Sequence, residues 1–249
     1  NHRGPDAEGI YYNQNIALGH ERLSIIDLSK MANQPMISRD KKHILVFNGE
    51  IYNFKQLKKK LQKKKYNFLS NSDSEVVLYA LIEWGEKALL MFNGMFALCF
   101  YNKKENSILV ARDRYGIKPL YYYNDGQSLV LSSESKAIFK YNKFKNDLNY
   151  KGIYEYFTFQ NLISNDTFVK NLKIIEAGSY KKINLNTNSI YSRKYWDYKF
   201  SENIKLKTYE DYTDELNFKL KNSVKNHIIS DVEIGSFLSG GIDSSIISS

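Results

Sequence analysis

Ser239, Gly240, Gly241, Ile242, Asp243, Ser244 and Ser245 lie between the apolar run Ile234 to Leu238 and the pair Ile246-Ile247, a strand, glycine loop and helix in succession. Two glycines there let backbone N–H groups converge on an anion, the helix adds its positive end, and the serines add hydroxyl donors. Such a loop is a phosphate cradle or an ordinary turn, and without a Gly-Lys-Ser/Thr ending it does not indicate γ-phosphate transfer. Asp243 there is a helix cap or a magnesium-associated carboxylate. Asn48-Gly49 ends a strand, where a side-chain amide and a glycine N–H on one side would make an oxyanion hole for amide hydrolysis. The same dipeptide also makes tight turns. Arg22, between apolar positions in His20-Glu21-Arg22-Leu23, either clamps a carboxylate with its two-pronged guanidinium or pairs with Glu21 or Asp27. Asp73 holds a substrate ammonium or caps the helix it opens. Cys99 sits in the apolar run Met95 to Phe100 with no neighbouring cation, which makes it a core residue rather than a nucleophile. The histidines are scattered without metal-ligand spacing, and His2 and His20 read as structural.

The elements that must position these groups follow from hydrophobic periodicity. Alternation from Ile10 to Asp27, broken at Asn13 to Asn15, predicts a hairpin running into a further strand, and His43 to Asn48 predicts another. Helices are expected at Phe54 to Lys65 and at Asp73 to Trp84, the latter capped by Ser72 or Asp73 and stopped by Gly85. Strands are expected at Met95 to Tyr101, Ser107 to Arg112, Leu120 to Tyr123 and Ser128 to Ser132, and then a short helix at Glu134 to Tyr141. A helix near Tyr150 to Phe157 and strands near Gly178 to Ile183 and Ser189 to Trp196 complete a mainly β unit. After a polar stretch, Asp197 to Lys207, a long helix at Tyr209 to Ile229 and an apolar strand at Ile234 to Leu238 open an α/β unit. The division is placed at residues 1–200 and 201–249.

The chain has 249 residues, 43% hydrophobic and 25% charged, enough for a substantial core. Its mean hydropathy is −0.49, and its longest purely apolar run is far short of the roughly 20 residues that span a bilayer. One cysteine cannot close an intramolecular disulfide and no charged-then-apolar leader opens the chain, so a soluble cytoplasmic protein is expected. The net charge of +9 comes mostly from lysine, with six arginines among 36 basic residues. The densest run, Lys55 to Lys65, shares helical spacing with Leu57 and Leu61 and coats a solvated helix face, so it does not argue for nucleic acid.

Eight motifs occur together: His2-Arg3-Gly4-Pro5-Asp6, His20 to Asp27, Asn48-Gly49-Glu50-Ile51-Tyr52-Asn53, Ser72-Asp73-Ser74-Glu75, Gly94-Met95-Phe96-Ala97, Ala111 to Tyr121, Ser133-Glu134-Ser135-Lys136-Ala137, and Ser239 to Ser245. In that order they resemble the glutamine-hydrolysing asparagine synthetases over nearly the whole chain. The resemblance implies an α+β class II glutamine amidotransferase domain with the amino-terminal-nucleophile hydrolase fold, two antiparallel sheets between helical layers. The first strand, loop and helix of an α/β ATP-pyrophosphatase domain would follow. It implies that Arg22 holds the glutamine α-carboxylate, that Glu50 and Asp73 hold its α-ammonium, and that Asn48 with Gly49 holds the oxyanion. It implies further that Ser239, Gly240, Gly241, Asp243, Ser244 and Ser245 cradle the pyrophosphate of ATP, with Mg2+ accompanying the nucleotide. The family's nucleophile is an amino-terminal cysteine, which this chain lacks, so a missing leading segment is expected to carry it and the chain alone is expected to be inactive. Glutamine, aspartate and ATP are the expected small-molecule partners. No nucleic acid or membrane is expected, no metal cluster is expected, and a homodimer is admitted. The expected reaction is ATP-dependent asparagine synthesis from aspartate with ammonia from glutamine. The alternatives are an amidotransferase with another carboxylate acceptor, and a non-enzymatic scaffold or nucleic-acid-binding protein.

Overall fold

The computed structural model describes residues 2–200 and 207–249. Along the chain come strands Ala7–Tyr12 (β1), Ala17–Arg22 (β2), Met36–Ile37 (β3) and His43–Ile51 (β4), then helices Phe54–Lys63 (α1), Asp73–Trp84 (α2) and Ala88–Met91 (α3). Strands Gly94–Asn102 (β5), Ser107–Arg112 (β6), Tyr121–Asn124 (β7) and Leu129–Ser132 (β8) follow, with helices Ser135–Ile138 (α4) and Tyr150–Phe159 (α5). Leu172–Ile174 (β9), Ser179–Asn184 (β10), Ser189–Lys194 (β11), Tyr209–His227 (α6) and Ile242–Ser248 (α7) complete the order.

Local chemistry explains several of these boundaries. The Ser72 hydroxyl accepts from the Glu75 N–H and starts α2, and Gly85, at φ +57°, ends it. The Asn13 carboxamide accepts from the N–H groups of Asn15 and Ile16 and closes the β1–β2 hairpin. Phe54, Leu57 and Leu61 bury one stripe of α1 while most lysines of the 55–65 run face solvent. Lys58 turns back to donate to the Ser70 carbonyl.

Among the described residues β3, β4, β5, β6, β10 and β11 form one antiparallel sheet in the order β11-β10-β6-β5-β4-β3. Period-2 alternation splits its side chains between two cores. Leu45, Phe47, Ile51, Phe96, Leu98 and Phe100 pack on one face against α1, α2 and α3. Ile44, Val46, Ala97, Cys99, Ile108 and Val110 pack on the other, against Leu18 of β2 and against Tyr122, Leu129 and Leu131 of a smaller antiparallel sheet, β8-β7-β9. The outer face of that smaller sheet, with Tyr121, Tyr123 and Val130, packs on Ile138 of α4. Helices, sheet, sheet and helix therefore stack in the expected order.

Two expected strands are absent. Residues 23–27 form no strand, because Asp27 adopts a left-handed φ of +57° and the chain turns back toward Arg22. Residues 234–238 form no strand; a strand needs a neighbour, none lies beside it among the described residues, and Ile234, Phe237 and Leu238 stay exposed. The long helix ends at His227. Part of the polar stretch expected to separate the two units, including the start of the second at residue 201, lies outside the described residues.

Candidate active site

The far end of β4 is where the chemistry gathers, and the reason is an interrupted edge. Leu45 pairs with Met36 of β3, but β3 is only two residues long and the chain before it turns at Gln34-Pro35. Beyond it, the Gln34 side chain replaces the missing strand. Its Oε1 accepts from the Phe47 N–H at 2.6 Å and its Nε2 donates to the Phe47 carbonyl at 2.9 Å. Two residues further than Gly49, the Ile51 N–H donates to Asp73 Oδ2 at 2.9 Å. Because alternate residues of an antiparallel strand turn their N–H groups to the same side, the Gly49 N–H points outward between these two capped neighbours.

Gly49 is constrained from its other side. A Cβ there would stand 2.2 Å from the Met95 carbonyl oxygen, so only glycine permits β4 and β5 to approach this closely. Phe96, opposite Gly49, is pinned by the fully buried Asp113. Its carboxylate accepts from the Phe96 N–H at 3.2 Å and from the N–H groups of Tyr115, Ile117 and Lys118, each at 3.0 Å. The Asn48 and Glu50 side chains project on the opposite face of β4 from Phe47 and Ile51. Among the described residues the half-buried Asn48 carboxamide makes no hydrogen bond. Burial raises the Glu50 pKa, against the pull of Lys118 and His227.

Asp73 does not cap α2; Ser72 does, which frees the Asp73 carboxylate to face the strand edge. Only 4% of Asp73 is exposed, and burial, reinforced by the nearby Glu50, pushes its pKa up to about 6 despite the Ile51 N–H. A buried carboxylate beside a second one favours a cation between them. Arg22, also buried and within electrostatic reach of Asp73, supplies the opposite sign. The Asp27 carboxylate acts on it by charge, but the hydrogen bonds that hold it go to neutral oxygens. Its Nη1 donates to the Ser29 carbonyl at 3.0 Å and to Asn33 Oδ1 at 2.9 Å, and its Nη2 donates to the carbonyls of Ile26 and Asp27. The chain from 26 to 33 is thus wrapped around the guanidinium, leaving Nε free of these four bonds.

Cys99 packs with the core between the two sheets, and burial pushes its thiol up to about 12, far from a reactive thiolate. His20 has its pKa lowered by burial, and its buried Nδ1 has no hydrogen-bond partner among the described residues. Arg3 Nε donates to Glu134 at 2.7 Å, joining the first and seventh sequence motifs and, with Lys136 and His2, depressing Glu134 to about 2. Gln34 and Asp113 were not singled out as site residues by type or spacing. The signal for Gln34 is the Gln-Pro pair beside a strand too short to cover β4.

The serine-glycine loop lies elsewhere. Gly240 takes φ +83°, and the Ser244 and Ser245 hydroxyls both donate to the Gly241 carbonyl, at 3.1 and 2.8 Å. Ser239 and Ser244 hydroxyls meet at 3.0 Å, and Asp243 is exposed at the start of α7. Among the described residues no three His, Cys, Asp or Glu side chains gather into a metal site. A Mg2+ carried on nucleotide phosphates needs only one or two protein carboxylates, which the exposed Asp243 fits.

Comparison with known proteins assigns the two parts separately. Residues 1–196 match the family model of the glutamine amidotransferase domain, and residues 215–249 match that of asparagine synthase. Asparagine synthetase [glutamine-hydrolyzing] 1 of Bacillus subtilis is 37% identical over 250 residues, covering 99% of this chain and 38% of that protein. Asparagine synthetase B [glutamine-hydrolyzing] of Escherichia coli is 37% identical over 99% of this chain and 39% of its own length. A putative asparagine synthetase [glutamine-hydrolyzing] 2 of Methanocaldococcus jannaschii is 36% identical over 99% of this chain and 51% of its own. The chain therefore spans only about half or less of these curated relatives. Among solved structures, a glutamine phosphoribosylpyrophosphate amidotransferase from B. subtilis shares the fold at TM-score 0.50 and 22% identity, over 76% of this chain and 35% of that one. No helix of the described residues is long and apolar enough to cross a membrane. With its amidotransferase match covering most of its length, the chain belongs to the glutamine amidotransferase domain family.

Proposed function

We propose that the end of β4 binds glutamine and holds the oxyanion formed when its side-chain amide is cleaved. The observation that carries this is the outward Gly49 N–H, left unpaired between the Gln34-bonded Phe47 and the Asp73-bonded Ile51, with the unbonded Asn48 carboxamide beside it. In this reading Gly49 N–H and Asn48 Nδ2 donate to the oxyanion, worth about 3 kcal/mol per donor in the transition state. The ammonium sits between Glu50 and Asp73, and Arg22 takes the α-carboxylate. To grip it with two N–H groups, Arg22 adds its Nε to one Nη donor released from the 26–33 chain. Cys99 is not assigned the attack: it packs into the apolar core between the two sheets, where its thiol is pushed well up. The attack is assigned to the amino-terminal cysteine that the family resemblance implies, with its own α-amine as base.

We further propose that the complete protein makes asparagine. Ammonia released at β4 passes to a second domain, beginning at residue 201, where MgATP adenylates the β-carboxylate of aspartate and ammonia displaces AMP. Ser239, Gly240, Gly241, Asp243, Ser244 and Ser245 would hold the pyrophosphate, and Mg2+ arrives with the nucleotide as part of the substrate. The identity to relatives bearing that name supports this reading. A cytoplasmic setting agrees with the single cysteine.

The test is Arg22→Leu in the complete protein. The KM for glutamine should rise about a hundredfold, the loss of a bidentate charge-assisted pair, with ammonia-dependent synthesis retained. Equal loss of both activities would refute the clamp.

A further inference from the structure

The carbonyls that hold Arg22 belong to a segment that is itself held from outside. Asp27 makes four bonds in four directions. Its carbonyl accepts from Arg22 Nη2, its Oδ1 accepts from the Ser29 N–H at 2.9 Å, its Oδ2 accepts from the Asn71 N–H at 2.6 Å, and its own N–H donates to Asp231 Oδ2 at 2.7 Å. Asn71 lies two residues before Asp73, so one carboxylate ties the Arg22 side of the pocket to the Asp73 side. The second tie comes from far along the chain. Asp231 also donates its N–H to the Ile25 carbonyl at 2.9 Å, bracketing residues 25–27, and four residues earlier His227 lies against Tyr52, ring centroids 4.3 Å apart. Asp27 holds a left-handed φ of +57°, a conformation that costs a non-glycine residue about 1 kcal/mol and persists where neighbours dictate it.

The geometry points to Asp27 and Asp231 as paired positioning residues for the glutamine pocket. Asp27 sets the separation of Arg22 from Asp73. Asp231 fixes Asp27 from the segment that leads, eight residues later, into the serine-glycine loop at Ser239. Neither aspartate touches glutamine in this reading, and both act through Arg22. The inference rests on the glutamine-binding role proposed above.

Substitution separates the role from mere folding, with kinetics measured on the complete protein. Asp27→Asn tolerates the left-handed backbone and keeps the Ser29 bond, but presents an N–H to the Asn71 N–H. Asp231→Ala removes the acceptor for the Asp27 N–H, and Asp231→Asn restores one. Asp27→Asn and Asp231→Ala should each raise the KM for glutamine about tenfold with kcat within a factor of two, and Asp231→Asn should recover most of the loss. An unchanged KM in Asp231→Ala, or a fall in kcat equal to the rise in KM that Asp231→Asn does not rescue, overturns the positioning role. If Arg22→Leu itself leaves KM unmoved, the glutamine pocket is what fails. If Arg22→Leu raises KM while both aspartate variants do not, only the positioning role fails.

Discussion

Residues 2–196 and residues 207–249 carry the two clearest chemical motifs of the chain under opposite conditions. At the end of β4 the groups on either side of the open Gly49 N–H are placed by distant partners: Gln34 on Phe47, Asp73 on Ile51, Asp113 on Phe96. Asp73 and Arg22 are 4% and 6% exposed. In α6 and α7, by contrast, no residue is buried, Phe237 is wholly exposed, and the serine-glycine loop is shaped by bonds among its own residues, from the Ser244 and Ser245 hydroxyls to the Gly241 carbonyl and between the Ser239 and Ser244 hydroxyls. The contrast separates two ways of making an anion site. In the proposed reading, a strand edge serves an oxyanion where tertiary partners cap the N–H groups on either side of one left open. A glycine loop takes its local shape from sequence, and its setting from a sheet that residues 234–238 do not form here.

The largest effect that can break this contrast belongs to the strand edge. Asn48→Ala removes one of two proposed donors, so kcat for glutamine hydrolysis in the complete protein should fall by about 10²–10³, with KM little changed. Steady-state assays at saturating glutamine decide it, and a change confined to KM would place Asn48 in binding instead.

Stability sharpens the same point. Gln34→Leu strips both partners from buried Phe47 backbone groups and should destabilise the domain by about 2–5 kcal/mol. Chemical denaturation measures this, and a loss below about 0.5 kcal/mol would mean β4 does not need its surrogate strand.

Asp73 links the pocket to pH. Its folded pKa of about 6 lies above the ordinary 3.8, so the fold favours the protonated form. The penalty for the charged form is therefore absent below pH 3.8 and complete once pH has risen past about 6. Asp73→Asn should thus be more stable than the parent by about 3 kcal/mol at pH 8, a gap that closes toward pH 4. In the parent, glutamine affinity should weaken as pH falls through about 6. Denaturation and binding titrations across that range test both signs.

The smallest effect belongs to the exposed loop. Gly240 sits at φ +83°, so Gly240→Ala distorts it locally, yet the unfolding midpoint of the amidotransferase region should move by less than about 0.5 kcal/mol equivalent. Nucleotide binding by the complete protein should fall sharply. A large stability loss would show the two regions to be less separate than their burial indicates.

What the sequence disclosed follows the same division. α2 is legible from Ser72 and Gly85 because its start and stop are local chemistry, and Ser107–Arg112 is legible because β-branched and apolar residues run between polar ends. β3 and β9, of two and three residues, carry too little pattern to read and exist because longer strands lie beside them. Ile234 to Leu238 reads as a strand by composition, but pairing is a property of two segments. The site shows the same limit. Asn48, Gly49, Glu50, Asp73 and Arg22 were all named from sequence. That Asp73 leaves the cap to Ser72, that Arg22 is held by carbonyls rather than by Glu21 or the Asp27 carboxylate, and that Gln34 completes the edge depend on contacts between residues far apart in the chain.

The central claim is that the uncapped Gly49 N–H receives the oxygen of glutamine's side-chain amide. A crystal structure of the protein soaked with L-glutamine tests it most directly. The account predicts that oxygen within about 3 Å of both the Gly49 N–H and Asn48 Nδ2, with the ammonium between Glu50 and Asp73 and the α-carboxylate on Arg22. Glutamine bound with its side chain directed away from β4, or a pocket that stays empty at saturating ligand while Arg22 keeps all four of its present bonds, would contradict it.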